Sequence, residues 1–386
     1  MGYRMTQEQK GLRDSIRNFL EKEVKPHVPE YDEKGETPLE LVKKGFDMGL
    51  HLIDVPEEYG GLGLGMRAAC IVTEEMARID FGYSSCFNML ALKCVTLMGN
   101  EEQKHRACKL VVPGNMCSFC LTEPGAGSDA AAIRTTAVKD GDNYILNGTK
   151  CFVTSGAYAN LYVVMAVTDP TKGPMGISAF MVEHGTSGLI IGKDENKLGL
   201  RLSNTCELIF DNMVIPKENL LGEEGMGFVT AMQGLDTGRI TVAAGAVGIA
   251  QRALEESIAY SKQRVCFGKA IGKIQSIQFM IADMAKKIEA ARLLIDYAAT
   301  LVDAGADYTK AAAMAKCFAT DTVMEVTTDA IQIFGGYGYC KDYPVEKLFR
   351  DAKITQIVEG TNQIQRMVIG RSAIADGGSA NCFITD

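Results

Sequence analysis

Apolar positions near both ends of the chain recur at the spacing of helices. Thr6 and Gln9 have the capping-box spacing and are followed by Leu12, Ile16 and Phe19 at helical intervals. Two longer stripes follow the same steps of three and four in the C-terminal part: Ile274, Ile277, Ile281, Met284, Ile288, Ala291 and Ile295, then Ala315, Ala319, Val323, Val326, Ala330 and Ile333. Such stripes predict amphipathic helices packed in a bundle.

Between about residues 115 and 225 the pattern changes to short strand-like runs. Residues 144–146, 161–167 and 177–182 are rich in β-branched and aromatic side chains and are separated by Gly, Asp, Asn and Pro. We therefore predict a multidomain α+β chain. It comprises an N-terminal α-helical domain over residues 1–113, a middle β-domain over 114–228 and a C-terminal four-helix-bundle-like domain over 229–386.

Length and composition fit this organisation. The chain has 386 residues, of which 47% are hydrophobic and 23% charged, enough for two or three domains with large cores. The formal net charge of −8 provides no basic field for phosphate backbones or anionic lipid. No apolar run approaches the length of a membrane span. We expect neither a nucleic acid nor a membrane as partner.

The cysteines favour a reducing compartment. All 12 are scattered along the chain without dense pairing, and no secretory signal precedes them. A bacterial cytoplasm is the expected location, with the matrix of an organelle as the alternative. Cys117 and Cys120 form a C-x-x-C motif that could serve a metal or dithiol site, but no second pair accompanies it and only four histidines occur. We predict no metal site.

A Gly-rich turn suggests a ligand. Residues 117–129 read Cys-Ser-Phe-Cys-Leu-Thr-Glu-Pro-Gly-Ala-Gly-Ser-Asp, a strand-like run that breaks into a turn. Glycines allow close approach of the backbone, and Thr122, Ser128 and bare N–H groups supply donors. Such a segment is often only a turn. Two further segments strengthen the interpretation: Lys-Cys-Phe-Val-Thr-Ser-Gly at 150–156 and Ile-Val-Glu-Gly-Thr-Asn-Gln-Ile-Gln-Arg at 357–366.

Together these three segments resemble the acyl-CoA dehydrogenase family, whose enzymes hold FAD and oxidise acyl-CoA thioesters. The order of α-domain, β-domain and α-bundle is also the layout of that family, so the resemblance covers essentially the whole chain. It implies the acyl-CoA dehydrogenase fold and an FAD-dependent enzyme. The sequence lacks a strand-linked G-x-G-x-x-G and a Walker-type phosphate loop, so FAD must be held in another way.

Glu359 is the candidate catalytic base. Oxidation between the α and β carbons of a thioester needs a base for the α proton and an acceptor for the β hydride. Ile357 and Val358 precede Glu359 in an apolar context, which should raise the pKa of its carboxyl. The resemblance implies that the Glu359 N–H and a flavin ribityl hydroxyl hold the thioester oxygen. Some relatives place the base directly before an Arg, but here Gly238 precedes Arg239, which indicates the short- and medium-chain type.

The resemblance also assigns binding roles to other residues. The expected FAD contacts are Phe119, Leu121, Thr122, Gly127, Ser128, Phe152, Thr154, Thr361 and Gln363, with Arg264, Phe267, Gln275, Gln332, Gly335 and Gly336 for the FAD of a neighbouring subunit. The expected substrate contacts are Ser128, Asp236, Arg239 and Gly360. Many relatives carry Trp where this chain has Phe152, a change that keeps an aromatic face.

The family resemblance further implies a homotetramer that passes its electrons to an electron-transferring flavoprotein, since no second redox group is visible in the sequence. Three alternatives stay open: an enoyl-CoA reductase on the same fold, an enzyme for cyclic or dicarboxylic acyl groups, and a non-catalytic flavin- or DNA-binding relative. Glu359 and the short tail after Arg371 disfavour the last. Acyl chain length and the direction of the reaction cannot be read from the sequence.

Overall fold

The computed structural model describes residues 5–377; the rest of the C-terminal tail, including Cys382, lies outside this range. The N-terminal domain is helical, as predicted. Its α-helices are α1 (Gln7–Phe19), α2 (Val28–Lys34), α3 (Leu39–Asp47), α4 (Gly65–Ile79), α5 (Phe81–Ser85), α6 (Leu90–Met98) and α7 (Glu101–Val111). The predicted capping box begins α1: the Gln9 N–H donates to Thr6 Oγ1 at 3.1 Å, and the Thr6 N–H donates to Gln9 Oε1 at 3.0 Å.

The middle domain is a β-sheet. Its strands are β1 (Met116–Cys120), β2 (Thr136–Asp140), β3 (Asn143–Thr154), β4 (Ala159–Val167), β5 (Ile177–Glu183), β6 (Leu189–Asp194), β7 (Thr205–Pro216) and β8 (Leu220–Leu221). The order across the sheet is β6-β7-β3-β2-β4-β5-β8, and β1 pairs with β4. The pairs of β4 with β1 and with β2 are parallel, and the other pairs are antiparallel.

The two cysteines of the C-x-x-C motif lie on opposite faces of β1. Side chains alternate along a strand, so a separation of three residues directs them apart. Cys117 packs in the core shared with α6 and α7, whereas Cys120 packs in the core between β3, β4 and β7. Both are free thiols, and burial raises the pKa of the Cys117 thiol to about 12.

The C-terminal domain is a helical bundle. It consists of α8 (Gly227–Gln263), α9 (Gln275–Asp303), α10 (Thr309–Phe334), α11 (Val345–Thr355) and α12 (Asn362–Ala375), with a small hairpin of β9 (Val265–Cys266) and β10 (Lys269–Ala270). Helix α8 begins at Gly227, slightly before the expected boundary at 228/229. Every residue of the predicted α10 stripe is buried, because the stripe faces the core that α8 and α10 share with α4. The α9 stripe is buried from Met284 to Ile295 and half-buried before it.

The three domains meet at a buried ion cluster. Lys347 on α11 contacts the carboxylates of Asp80 and Asp351, and the Asp351 carboxylate also accepts the N–H of Leu200 at 2.7 Å. Burial raises the pKa of Asp351. The cluster therefore connects the N-terminal domain, the loop after β6 and the bundle. No helix among residues 5–377 is sufficiently long and apolar to cross a membrane.

Candidate active site

Glu359 lies in the loop between α11 and α12. Its φ is +56°, and Gly360 follows with φ +90°. A left-handed conformation at a non-glycine residue carries strain and persists only when its surroundings hold it. Thr361 then caps α12, because its side chain accepts the N–H of Ile364. The loop thus turns the Glu359 side chain away from the path of both helices.

Three side chains hold this loop through its carbonyl groups. Arg239 Nε donates to Glu359 O at 3.1 Å, and Gln365 Nε2 donates to Glu359 O at 3.2 Å and to Gly360 O at 2.9 Å. Buried Lys316 donates to Gly360 O at 2.9 Å and to Asn362 Oδ1 at 2.9 Å. Within the described residues the N–H of Glu359 donates no hydrogen bond. It remains available to a ligand.

The Glu359 carboxyl has the electrostatics of a base. Its Oε2 atom is buried and has no hydrogen-bond partner in the described part of the chain. Loss of solvent raises the pKa of Glu359 to about 7, although nearby Arg239, Lys316 and Asn88 favour its ionised form. Gly238 makes room for this group, because a Cβ atom there would lie 2.6 Å from Glu359 Oε2.

A cavity of about 210 Å³ adjoins Glu359. Gly238 and Thr241 of α8, Thr154 at the end of β3 and Leu200 line it together with side chains of α4 and α6. Most of the lining is apolar, and Asn88 contributes its amide. The cavity therefore combines a buried carboxyl group with a mostly apolar lining, a combination that suits an acyl group. We call it the acyl cavity.

The Gly-rich turn after β1 is open to a ligand. The N–H groups of Gly125, Gly127 and Ser128 donate no hydrogen bond among the described residues. A Cβ atom at either glycine would meet nothing within 4 Å. Phe152, which precedes Thr154 by two residues, has a φ of +55° and a side chain that is exposed, at 65%. Free donors and an exposed aromatic face fit a flavin dinucleotide.

A buried ion pair braces the base of this turn. Lys150 Nζ donates to Glu123 Oε1 at 2.6 Å and to Leu121 O at 3.0 Å. The Glu123 carboxylate also accepts the N–H groups of Arg134 and Thr135. The backbone of Thr122 is held by a hydrogen bond from the Cys151 N–H at 2.9 Å. The predicted flavin residues Phe119, Leu121 and Thr122 thus lie on a rigid segment.

A second cleft, of about 650 Å³, lies in the C-terminal domain. Four predicted residues line it: Arg264, Phe267, Gly335 and Gly336. Gln275 and Gln332 are exposed and are each next in sequence to lining residues. The Arg264 guanidinium stands 5.5 Å from the centroid of Tyr337, a lining residue that the sequence reasoning missed although it directly follows the Gly-Gly pair.

The remaining predicted residues are not gathered in one place. Arg239 is buried, contacts the Asp236 carboxylate and holds the Glu359 loop; Asp236 also accepts the hydroxyl of Thr309 at 3.0 Å. Ser128 and Gln363 are exposed and line neither cavity. Their assigned contacts with substrate and FAD stay predictions. Sequence reasoning missed Lys316 and Gln365, which lie in helical patterns without a local signal.

Comparison with known proteins identifies the family. Family models match residues 6–115 (acyl-CoA dehydrogenase, N-terminal domain), 118–213 (middle domain) and 225–374 (C-terminal domain). The chain is 49% identical over 376 residues to the probable acyl-CoA dehydrogenase FadE25 of Mycobacterium tuberculosis, covering 96% of this chain and 97% of the relative.

Two solved structures share the fold. Butyryl-CoA dehydrogenase from Megasphaera elsdenii is 44% identical, with a TM-score of 0.95 over 97% of this chain and 100% of that chain. A chain from a structure described as the electron transferring flavoprotein of Acidaminococcus fermentans is 49% identical, with the same TM-score of 0.95 and the same coverages of 97% and 100%. With all three domains matched and their order reproduced, the chain belongs to the acyl-CoA dehydrogenase family.

Proposed function

We propose that this protein oxidises short acyl-CoA thioesters to the α,β-enoyl-CoA products, with FAD as cofactor and Glu359 as the base. The observation that carries the proposal is the Glu359 carboxyl: it faces the acyl cavity, and burial without a hydrogen-bond partner at Oε2 raises its pKa to about 7. A carboxyl with this pKa can accept a proton near neutral pH.

The chain positions the substrate for removal of the α proton. The free Glu359 N–H donates to the thioester oxygen and stabilises the negative charge that develops there. Arg239 and Gln365 hold the Glu359 carbonyl, which fixes the orientation of this loop. The Glu359 carboxylate accepts the α proton as the α,β double bond forms. FAD, when bound, accepts the hydride that leaves the β carbon.

The size of the cavity supports a short acyl group. About 210 Å³ lies at the small end of ligand sites, and Phe87, Leu200 and Met89 restrict it. The relative of known structure named butyryl-CoA dehydrogenase carries the same fold. Short thioesters are therefore the first substrates to test.

The test is Glu359→Gln. The amide keeps the shape of the side chain but removes its basicity. We expect normal FAD content and a fall of roughly a hundredfold or more in the rate of flavin reduction by butyryl-CoA, measured by stopped flow. Glu325→Gln, an exposed substitution on α10, is the matched control and should reduce at the unaltered rate.

The possible results for Glu359→Gln distinguish a catalytic base from a residue that binds FAD. Near-normal reduction in Glu359→Gln would show that another group is the base. Loss of FAD from this variant would instead make Glu359 a binding residue. Oxidation of pre-reduced enzyme by crotonyl-CoA that is much faster than reduction of the oxidised enzyme by butyryl-CoA would indicate work in the reductase direction, which the same residues serve.

The assembly and partners that we propose follow from the second cleft and the family. The cleft with Arg264 and Phe267 is suited to the FAD of a neighbouring subunit, in a homotetramer. An electron-transferring flavoprotein is the proposed redox partner. One structural neighbour supports this choice, because it comes from a structure described as an electron transferring flavoprotein. The free thiols of the described chain favour a reducing compartment such as the bacterial cytoplasm.

A further inference from the structure

One part of the acyl cavity wall is polar. Glu359 enters from the loop between α11 and α12, whereas the loop between α3 and α4 and helix α6 contribute His51, Asp54, Lys93 and Thr96. A cavity that binds only simple alkyl chains does not need polar groups in its wall. The hydrogen-bonding atoms that these side chains leave unpaired therefore indicate what kind of chemical group this part of the cavity binds.

Lys93 carries an ammonium group without a hydrogen-bond acceptor. The nearest carboxylate oxygen, on Asp54, is 3.9 Å from Lys93 Nζ, which is too long for a hydrogen bond. Among the described residues no other acceptor reaches Nζ, and no donor reaches the Asp54 carboxylate. The two side chains are 29% and 26% exposed, so they form a neutral but loosely joined pair at the cavity wall.

His51 adds a buried acceptor. Its Nε2 lies 3.1 Å from Val112 O, so Nε2 carries the proton and donates to this carbonyl. Desolvation lowers the pKa of His51 and keeps the ring neutral. Nδ1 is then an acceptor, and it is buried with no partner among residues 5–377, in a residue only 3% exposed. A buried polar atom without a partner destabilises the protein.

We propose that the acyl groups for which this site is specific carry a hydroxyl at their far end, held between Lys93 and His51. This inference rests on the proposed function. A hydroxyl both accepts and donates one hydrogen bond, so it can accept from Lys93 Nζ and donate to His51 Nδ1 or to Asp54. A methyl terminus could not pair with the buried His51 Nδ1, which would stay without a hydrogen bond. A carboxylate terminus would approach the negative charge of Asp54 and could not donate to His51.

The experiment compares thioesters of similar length. Hexanoyl-CoA and 5-hydroxypentanoyl-CoA differ only by a methyl in place of the hydroxyl, and glutaryl-CoA carries a terminal carboxylate. We expect the holoenzyme to favour 5-hydroxypentanoyl-CoA over hexanoyl-CoA by at least about tenfold in kcat/KM, because a site that hydrogen-bonds a hydroxyl rejects the analogue that lacks it. The dissociation constants, measured by titration of the flavin spectrum, should change in the same direction.

Lys93→Met tests the residue. Methionine keeps the length of the side chain and removes the donor, so the preference should fall toward unity, while Lys109→Met, an exposed substitution on α7, should leave it unchanged. FAD content reports whether each variant is folded. A wild-type enzyme that prefers hexanoyl-CoA or glutaryl-CoA overturns the inference by itself, without the variants. Failure of all three thioesters and of butyryl-CoA to reduce the flavin would overturn the proposed function as well.

Discussion

At the scale of single residues, Glu359 differs from the other acidic side chains by its environment. The chain has 48 acidic residues, and many of those that the structure describes form salt bridges. Glu359 is desolvated, and its Oε2 lacks a hydrogen bond, so the neutral form is favoured and its pKa rises to about 7. Buried Lys316, which donates to Gly360 O, opposes this shift because its positive charge favours the ionised carboxylate. Burial lowers the pKa of Lys316 to about 8, so it is still mostly charged at the midpoint of the Glu359 titration.

The pH dependence follows from these pKa values. Because Glu359, the proposed base, must be ionised, kcat/KM should rise with pH through a midpoint near pH 7 and level off about one pH unit above it. Lys316→Met removes a positive charge that favours the carboxylate, so this rise should move to higher pH by roughly half a unit or more. It should also destabilise the fold by about 1–3 kcal/mol, since Gly360 O and Asn362 lose a buried donor.

Profiles of flavin reduction against pH provide the measurement. Lys109→Met, on the exposed face of α7 and away from both cavities, is the control and should show the wild-type profile. A Lys316→Met profile superimposed on that of the wild type would mean that this lysine braces the loop without tuning the base.

At the scale of elements, the packing of α8 against the loop between α11 and α12 sets the position of Glu359. The helix contributes Arg239, which holds the Glu359 carbonyl, and Gly238, which leaves space for the carboxyl. These two consecutive residues therefore act on Glu359 in different ways. One holds its backbone, and the other admits its carboxyl group.

Gly238→Ala tests this packing. The added Cβ would lie 2.6 Å from Glu359 Oε2, so the carboxyl must move, and we expect flavin reduction to slow by at least about tenfold while FAD stays bound. Gly370→Ala in α12 is the matched control: its Cβ would meet nothing within 4 Å, and the change should stabilise the helix by about 0.5–1 kcal/mol. Unaltered turnover in Gly238→Ala would contradict the assigned position of Glu359.

At the scale of the whole molecule, the binding features lie on different domains. The open turn belongs to the β-domain, whereas the second cleft lies in the bundle between α8, α9 and α10. Phe267 is 94% exposed with φ +53°, a conformation that costs free energy and exposes an apolar ring to water. Both costs are explained if a neighbouring subunit and its FAD cover this cleft.

Arg264→Ala should therefore weaken retention of FAD although Arg264 is remote in sequence from the Gly-rich turn. We expect the FAD dissociation constant to rise several-fold, and FAD loss to become steeper on dilution as subunits separate. Flavin absorbance after gel filtration and sedimentation velocity at a series of concentrations measure the two effects. Arg13→Ala on α1 is the control. Full flavin content with unaltered subunit association would mean that the second cleft is not part of the FAD site.

Much of the architecture could be predicted from local pattern. The stripe from Ala315 to Ile333 has the period of a helix, and burial of one face follows from that period alone. The cap at Thr6 and the strands of the middle domain are likewise determined by neighbours in the chain. Glu359 could be proposed as the base from the sequence because Ile357 and Val358 precede it and a distinctive segment follows it, all within a single stretch.

Tertiary structure alone decided the surroundings of that residue. Lys316 and Gly360 are 44 positions apart, and Gly238 and Glu359 are further apart still, so no local spacing reveals that they touch. Lys93 and His51 have the same character: each is unremarkable in its own helix or loop, and only tertiary packing leaves Lys93 Nζ and His51 Nδ1 without a hydrogen bond, among the described residues, at one cavity wall. Periodicity determines which face of an element is buried, whereas the partner of a buried polar group depends on how distant elements pack.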